Sequence, residues 1–246
     1  MRIVKWTIVF VILIVVTGVF SSETAQTPPT GQRGTAAEPQ RGAPAAATPA
    51  DPARGGRGGG GQRGGFQTMT LVTTAWPDGG MIPLRYTQAG AELSPAIQWS
   101  GVPTQNVASF VVTFTDTDTV VNNATDGLLH WMLWNIPPTA TGVTQGRPDG
   151  FELEDGTRQI SVSGARYRGP GASSTGPMHH YLLEVYALDT MLDVKIVDAT
   201  GKPIANPQGP QDPNPNVQAT RKLVFDAMVG HIRGKASYMG LFRRPQ

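Results

Sequence analysis

Residues Phe110–Asn135 read FVVTFTDTDTVVNNATDGLLHWMLWN, two apolar runs joined by a short polar stretch. Side chains alternate across a strand, so Phe110, Val112, Phe114 and Asp116 fall on one face, ending in a carboxylate. In the second run His130, Met132 and Trp134 share a face by the same rule. Tyr167–Asp189, YRGPGASSTGPMHHYLLEVYALD, repeats the design. There His179, Tyr181, Leu183, Val185 and Ala187 share a face and the polar pair comes first. Three apolar strand faces thus each carry a polar residue at one end. Periodicity allows those ends to meet without requiring it.

Further short β-type runs lie outward of these segments, at Met69–Thr74, Ile97–Ser100, Ile160–Ser163 and Ala236–Phe242. Turn signals such as Asp78-Gly79-Gly80, Asn122-Asn123 and Asp149-Gly150 separate the runs. Many strands without alternating helices predict a mainly β protein, an antiparallel β-sandwich. One helix is expected near the C-terminus. Thr220 is its N-cap, Leu223, Val224, Ala227, Met228, His231 and Ile232 follow at helical spacing, and Gly234 lies near its end.

The first quarter of the 246-residue chain is different. Arg2 and Lys5 precede the apolar stretch Trp6–Phe20, and small or polar residues follow. Residues 1–25 therefore read as a secretory signal or a retained N-terminal anchor. Residues 26–65 are rich in Pro, Ala, Gly and Arg and poor in large apolar side chains. Such a segment buries too little surface to offset its ordering entropy, so it reads as a disordered linker to a domain at 66–246. The protein is expected to be exported, periplasmic or extracellular, with membrane proximity if the N-terminus is retained.

The sequence pI of about 9.0 belongs to that leader and linker. Residues 67–246 hold 13 Lys and Arg against 15 Asp and Glu, a net charge of −2. The run Arg54–Gly65, RGGRGGGGQRGG, is similar to arginine–glycine segments of RNA-binding proteins, but no aromatic residue interleaves it. It reads as a tether, with no nucleic-acid partner. The absence of cysteine excludes disulfides, thiol catalysis and zinc–thiolate sites.

Taken singly, the polar residues have ordinary readings. Asp116 before Thr117-Asp118-Thr119 is a turn former. Asp118 either caps that turn or joins a pocket. His130 is a satisfied core histidine, His180 is solvated opposite His179, and His231 is a core histidine of the helix.

The ordered motifs change that balance. Asp78-Gly79-Gly80 with Ile82-Pro83 and Tyr86 is followed by Ser94-Pro95, Gln98-Trp99 and Val102-Pro103. Then come Asp116-Thr117-Asp118, His130-Trp131 with Trp134-Asn135-Ile136-Pro137, and Tyr167-Arg168-Gly169-Pro170. His179-His180-Tyr181, Tyr186-Ala187-Leu188-Asp189 and Gly230-His231-Ile232 close the series. In this order the chain resembles the phosphatidylethanolamine-binding protein family, in its bacterial Raf-kinase-inhibitor-like form, from Met69 to Arg244. The resemblance implies a β-sandwich with a small pocket for phosphate-like anions or phospholipid headgroups. It gives ligand-binding roles to Asp116, His130, His179 and Tyr181, and implies a regulatory role by inhibiting a kinase or protease. His and Tyr suit a phosphate because they donate hydrogen bonds, and a carboxylate beside an imidazole favours its cationic form.

Two departures bear on the pocket. The family's Asp-Pro-Asp-Ala-Pro is Asp116-Thr117-Asp118-Thr119-Val120 here, and the usual proline pair before the histidines is Ala172-Ser173. Asp198–Val217 is longer than the bacterial form usually has and is placed to cover the pocket or meet a partner. The leading expectation is a binding protein, not an enzyme, without cofactor or bound metal. Its partner is a small anionic ligand or headgroup, with a homodimer left open. Two alternatives stand beside it: a metal-dependent hydrolase with a two-His, one-carboxylate site, and an interaction domain whose pocket is vestigial.

Overall fold

The computed structural model describes residues 66–204 and 215–246. The signal or anchor at 1–25 and the linker at 26–65 lie outside the described residues, as do residues 205–214 of the Asp198–Val217 segment.

Among the described residues, ten strands and one α-helix follow in chain order. The strands are β1 (Gln67–Thr68), β2 (Thr70–Val72), β3 (Gly80–Met81), β4 (Ile97–Ser100), β5 (Ser109–Asp116), β6 (Leu128–Ile136), β7 (Gly142–Val143), β8 (Arg158–Ile160) and β9 (His179–Leu188). Helix α1 (Val217–Met228) and strand β10 (Ile232–Phe242) complete the chain. The large sheet runs β1-β10-β9-β5-β6-β8, with β3 also on β10, and the small one runs β2-β4-β7.

The expected sandwich is present, but the large sheet is mixed rather than purely antiparallel. Strands β1 and β3 run parallel to β10. The long β10 offers its outer edge to two short segments, β1 at Gly234 and β3 at Gly240, while β2 departs between them to the small sheet. Segments returning from another sheet need no hairpin, so their direction is free.

The large sheet is covered on both faces, so every residue of β5 is buried, Thr113 and Thr115 among them. One face packs Phe110, Val112, Phe114, Leu183 and Val185 against Leu71, Ile97, Trp99 and Val143 of the small sheet. The other packs Val111, Met132 and Trp134 against Val224 and Met228 of α1 and the Leu192–Ile196 stretch. The described domain is therefore three layers deep: small sheet, large sheet, helix. Phe114 is fully buried and stacks on Tyr167, so Phe114→Ala removes about 3–5 kcal/mol.

Helix α1 begins and ends earlier than the spacing predicts. Its N-cap is Asn216, whose side chain accepts the amide of Ala219 at 3.0 Å. Thr220 lies inside the first turn, where its hydroxyl accepts the Val197 amide. Gly230, with φ 85°, follows the helix and turns the chain into β10, so His231 is not a helical residue. It is half-exposed and pairs with Asp189 at 2.7 Å. The described parts of Asp198–Val217 pair with Ile196 and Val197, and none of them reaches the pocket described next.

Candidate functional site

The antiparallel registers bring three strand ends together. Asp116 ends β5 opposite Leu128 of β6 and Tyr181 of β9. Around this corner lies a cavity of about 330 Å³, lined by Asp116, Thr119, His130, Arg168, His179 and Gln88, with Leu128, Val162 and the Gly171–Ser173 segment. Three of the four sequence-predicted residues line it. Tyr181 does not.

Asp116 combines its two readings. Its Oδ1 accepts the amides of Asp118 and Thr119 at 2.9 and 3.1 Å, an Asx-type turn. Its Oδ2 accepts the Thr119 hydroxyl at 2.9 Å and His179 Nδ1 at 2.7 Å. At the first of the two missing prolines, hydrogen bonds take over. Thr117 donates both its amide and its hydroxyl to His180 O, and no proline has that amide to give. The corner needs glycine at 127: φ is +67°, and a Cβ there would sit 2.4 Å from Asp116 O.

His130 reaches the cavity against the simple alternation. Thr115 pairs with Leu129 and Phe114 with Trp131, which leaves His130 as the extra residue of a β-bulge. Leu129, Met132 and Trp134 consequently pack toward the helix, while His130 turns toward Phe114 and Tyr181 on the other face. The expected shared face of His130, Met132 and Trp134 is thus broken. A bulge carries no signature that alternation can read.

The His130 ring is 1% exposed. Its Nδ1 donates to Arg168 O at 2.9 Å, and the Arg168 amide donates back to His130 O. This fixes the proton on Nδ1 in the neutral ring and leaves Nε2 buried without a protein partner. Burial pushes the His130 pKa down, outweighing the bond to Arg168 O and the charge of Asp116, which act upward.

His179 is held differently. Asp116 Oδ2 takes its Nδ1–H, leaving Nε2 as the free ring nitrogen. Tyr181 stands between the two histidines, edge-on to His130 at 5.2 Å and stacked on His179 at 6.5 Å. Its hydroxyl, fully buried, accepts the amides of Gly171 and Ala172 at 3.3 Å each. Burial, reinforced by the Asp116 charge, raises its pKa far above the usual phenol range. Tyr181 stands behind the rim and holds it through those two amides, whereas a direct ligand donor was expected.

Sequence reasoning missed Arg168 and Gln88. Arg168 donates to Gln88 Oε1 at 2.8 Å, and Gln88 Nε2 donates to Gly169 O at 2.7 Å. Both come from loops, where no periodicity ties a residue to the strand ends; the signal available was Tyr167-Arg168-Gly169-Pro170, read only as a motif. Ser173, one of the replaced prolines, puts a hydroxyl-bearing side chain at the rim.

His180 lies outside the cavity as expected, half-exposed, with Asp118 accepting its amide at 2.6 Å and its Nδ1 at 3.1 Å. Asp118 therefore ties the turn to the start of β9 and stays out of the pocket. The His180 amide bond is the main cause of its lowered pKa.

A metal site would need free carboxylate lone pairs beside the histidines. Those of Asp116 are committed to Thr119, Asp118 and His179, and among the described residues no group of three His, Cys, Asp or Glu is placed to hold a metal ion. The ring nitrogens, the Arg168 guanidinium and the rim instead make a concave site rich in donors and potential donors, the character of a small-molecule binding protein.

The chain belongs to the phosphatidylethanolamine-binding protein family, whose pattern matches residues 72–243. It is 36% identical to a UPF0098 protein of Methanothermobacter thermautotrophicus, over 72% of this chain and 99% of that protein. A UPF0098 protein of Pyrococcus horikoshii is 30% identical, over 74% of this chain and 80% of its own length. Among solved structures, the putative phosphatidylethanolamine-binding protein homolog CT736 of Chlamydia trachomatis aligns with TM-score 0.53 at 24% identity, covering 72% of this chain and 98% of that one. Escherichia coli YbcL, described as a member of the mammalian family, aligns with TM-score 0.53 at 22% identity and the same two coverages. These two likenesses show the fold.

Proposed function

We propose that this is a ligand-binding protein whose cavity takes a small phosphate-type anion, free or as a headgroup. The observation that carries the reading is His130 Nε2, buried and unpartnered, on a ring that lines the same cavity as His179. A buried polar atom normally has a partner, and a ligand oxygen supplies one here. With Nδ1 already committed on both rings, only protonation turns the two Nε2 atoms into donors. Anion binding therefore takes up protons. An anion favours the imidazolium form, so affinity is greatest at acidic pH and falls as pH rises. Asp116 orients His179 and does not touch the anion.

Phosphate titration of the purified protein across pH tests this. A few charge-assisted contacts predict dissociation constants from millimolar to micromolar. No binding at any pH overturns the reading and leaves an interaction domain.

The wider reading is an exported binding protein without catalytic activity, supported by the N-terminal charge and hydropathy pattern of residues 1–25. Cell fractionation tests export; a stable cytosolic pool of full-length chain contradicts it. Inhibition of a kinase or protease is the regulatory role that accompanies the family. For an exported chain a protease is the better partner, and an inhibition assay with the purified domain is its test.

A further inference from the structure

Two guanidinium groups converge on Gln88 at the edge of the cavity: Arg168 lines it, and Arg244, exposed, lies just outside its lining. Arg168 and Arg244 both donate to the same atom, Gln88 Oε1, at 2.8 and 3.3 Å. The amide oxygen is fixed toward them because Gln88 Nε2 is tied to Gly169 O, and Gln88 packs so tightly on Gly171 that a Cβ there would sit 2.2 Å from it. Arg244 is brought in by its own backbone, whose amide donates to Ala172 O at 3.1 Å on the cavity rim. Two like charges are thus held closer to each other than the sum of those two bonds, sharing one neutral acceptor. Glu92 offsets Arg168 only in part, at 3.8 Å, and its Oε1 also accepts the Gly169 amide.

Like charges gathered this way are stabilised by an anion between them, and guanidinium suits a planar carboxylate. The cavity has room for such a group. Its volume of about 330 Å³ falls at the lower end of the range of small-molecule pockets, about 300–1,000 Å³. We infer that the ligand carries a second acidic group, held by Arg168 and Arg244, beside the phosphate addressed to His130 and His179. This rests on the phosphate reading above and narrows it to phosphorylated compounds bearing a carboxylate.

Phosphoserine and phosphoethanolamine differ by one carboxylate, so the pair isolates the inference. Phosphoserine is expected to bind about tenfold tighter, the worth of one charge-assisted contact. Arg244→Gln should erase that advantage while leaving inorganic phosphate affinity unchanged. Glycerophosphoserine beside glycerophosphoethanolamine repeats the comparison for a lipid headgroup, and the tighter series identifies the source. If phosphate and phosphoethanolamine bind but phosphoserine gains nothing, the inference is overturned and the phosphate reading stands. A phosphoserine advantage that survives Arg244→Gln overturns the arginine assignment. Failure of every phosphate compound removes both.

Discussion

Two Asp–His pairs sit side by side in this molecule, built from neighbouring residues of the same two segments. Asp116 holds His179 at 2.7 Å, and Asp118 holds His180 at 3.1 Å. Strand alternation sends the first pair inward, where Asp116 is 2% exposed, and the second outward into solvent. Chemistry is nearly the same in both; burial is not. The inward carboxylate is held by four hydrogen bonds and fixes one ring nitrogen so that the other faces a cavity. The outward pair staples a turn in high dielectric, where such pairs contribute about 0–1 kcal/mol. The same residue types make a site on one face of β9 and an ordinary surface contact on the other.

The largest contrast should appear in stability. Asp116→Ala strands the Thr119 and Asp118 amides and the His179 ring, and is expected to cost about 3–5 kcal/mol, since each stranded buried donor forfeits about 1–3 kcal/mol. Asp118→Ala should cost about 1 kcal/mol or less. Parallel denaturant melts read both; equal losses would erase the distinction between the pairs. In binding, His179→Ala should weaken phosphate at least tenfold and His180→Ala less than about twofold, as calorimetry on both variants would read. A smaller effect sharpens the inward pair's hold on its turn: Thr119→Ala removes the hydroxyl bond to Asp116 and should cost about 1 kcal/mol in the same melts.

The third contrast lies within the histidines and is read by pH. His130 has its pKa depressed by burial, so the unfolded chain takes up its proton first as pH falls. Its contribution to stability is complete above the ordinary value of 6.5 and is lost as pH drops below it. Melting temperatures of the ligand-free protein should therefore decline through that window, and His130→Asn should flatten the decline. A slope unchanged by the substitution would mean that His130 is not the buried neutral group.

Much of the fold was legible because its strongest segments are long and simply patterned. β4 is found at its expected residues, Ile97–Ser100, and the apolar face of β9 from Tyr181 to Ala187 packs as alternation predicts. Short elements were not legible. β1 and β3 have two residues each, too few for any period, and their parallel pairing follows from where the chain returns. The helix start was misread because Thr220 and Asn216 are both good caps, and the choice falls to whichever amide is left unsatisfied. At the site, Asp116 and His179 follow from alternation, whereas His130 points inward only through its bulge. Arg168, Gln88 and Arg244 come from loops and the C-terminal tail, and distance alone assembles them.

The most direct test of the anion site is the ring-nitrogen NMR of the four histidines during a phosphate titration at constant pH. His130 and His179 should move together toward the imidazolium signature, with one saturation midpoint. His180 and His231, outside the cavity, should stay where they began. Phosphate that binds while His130 keeps its neutral signature, or that shifts all four rings alike, would contradict the account.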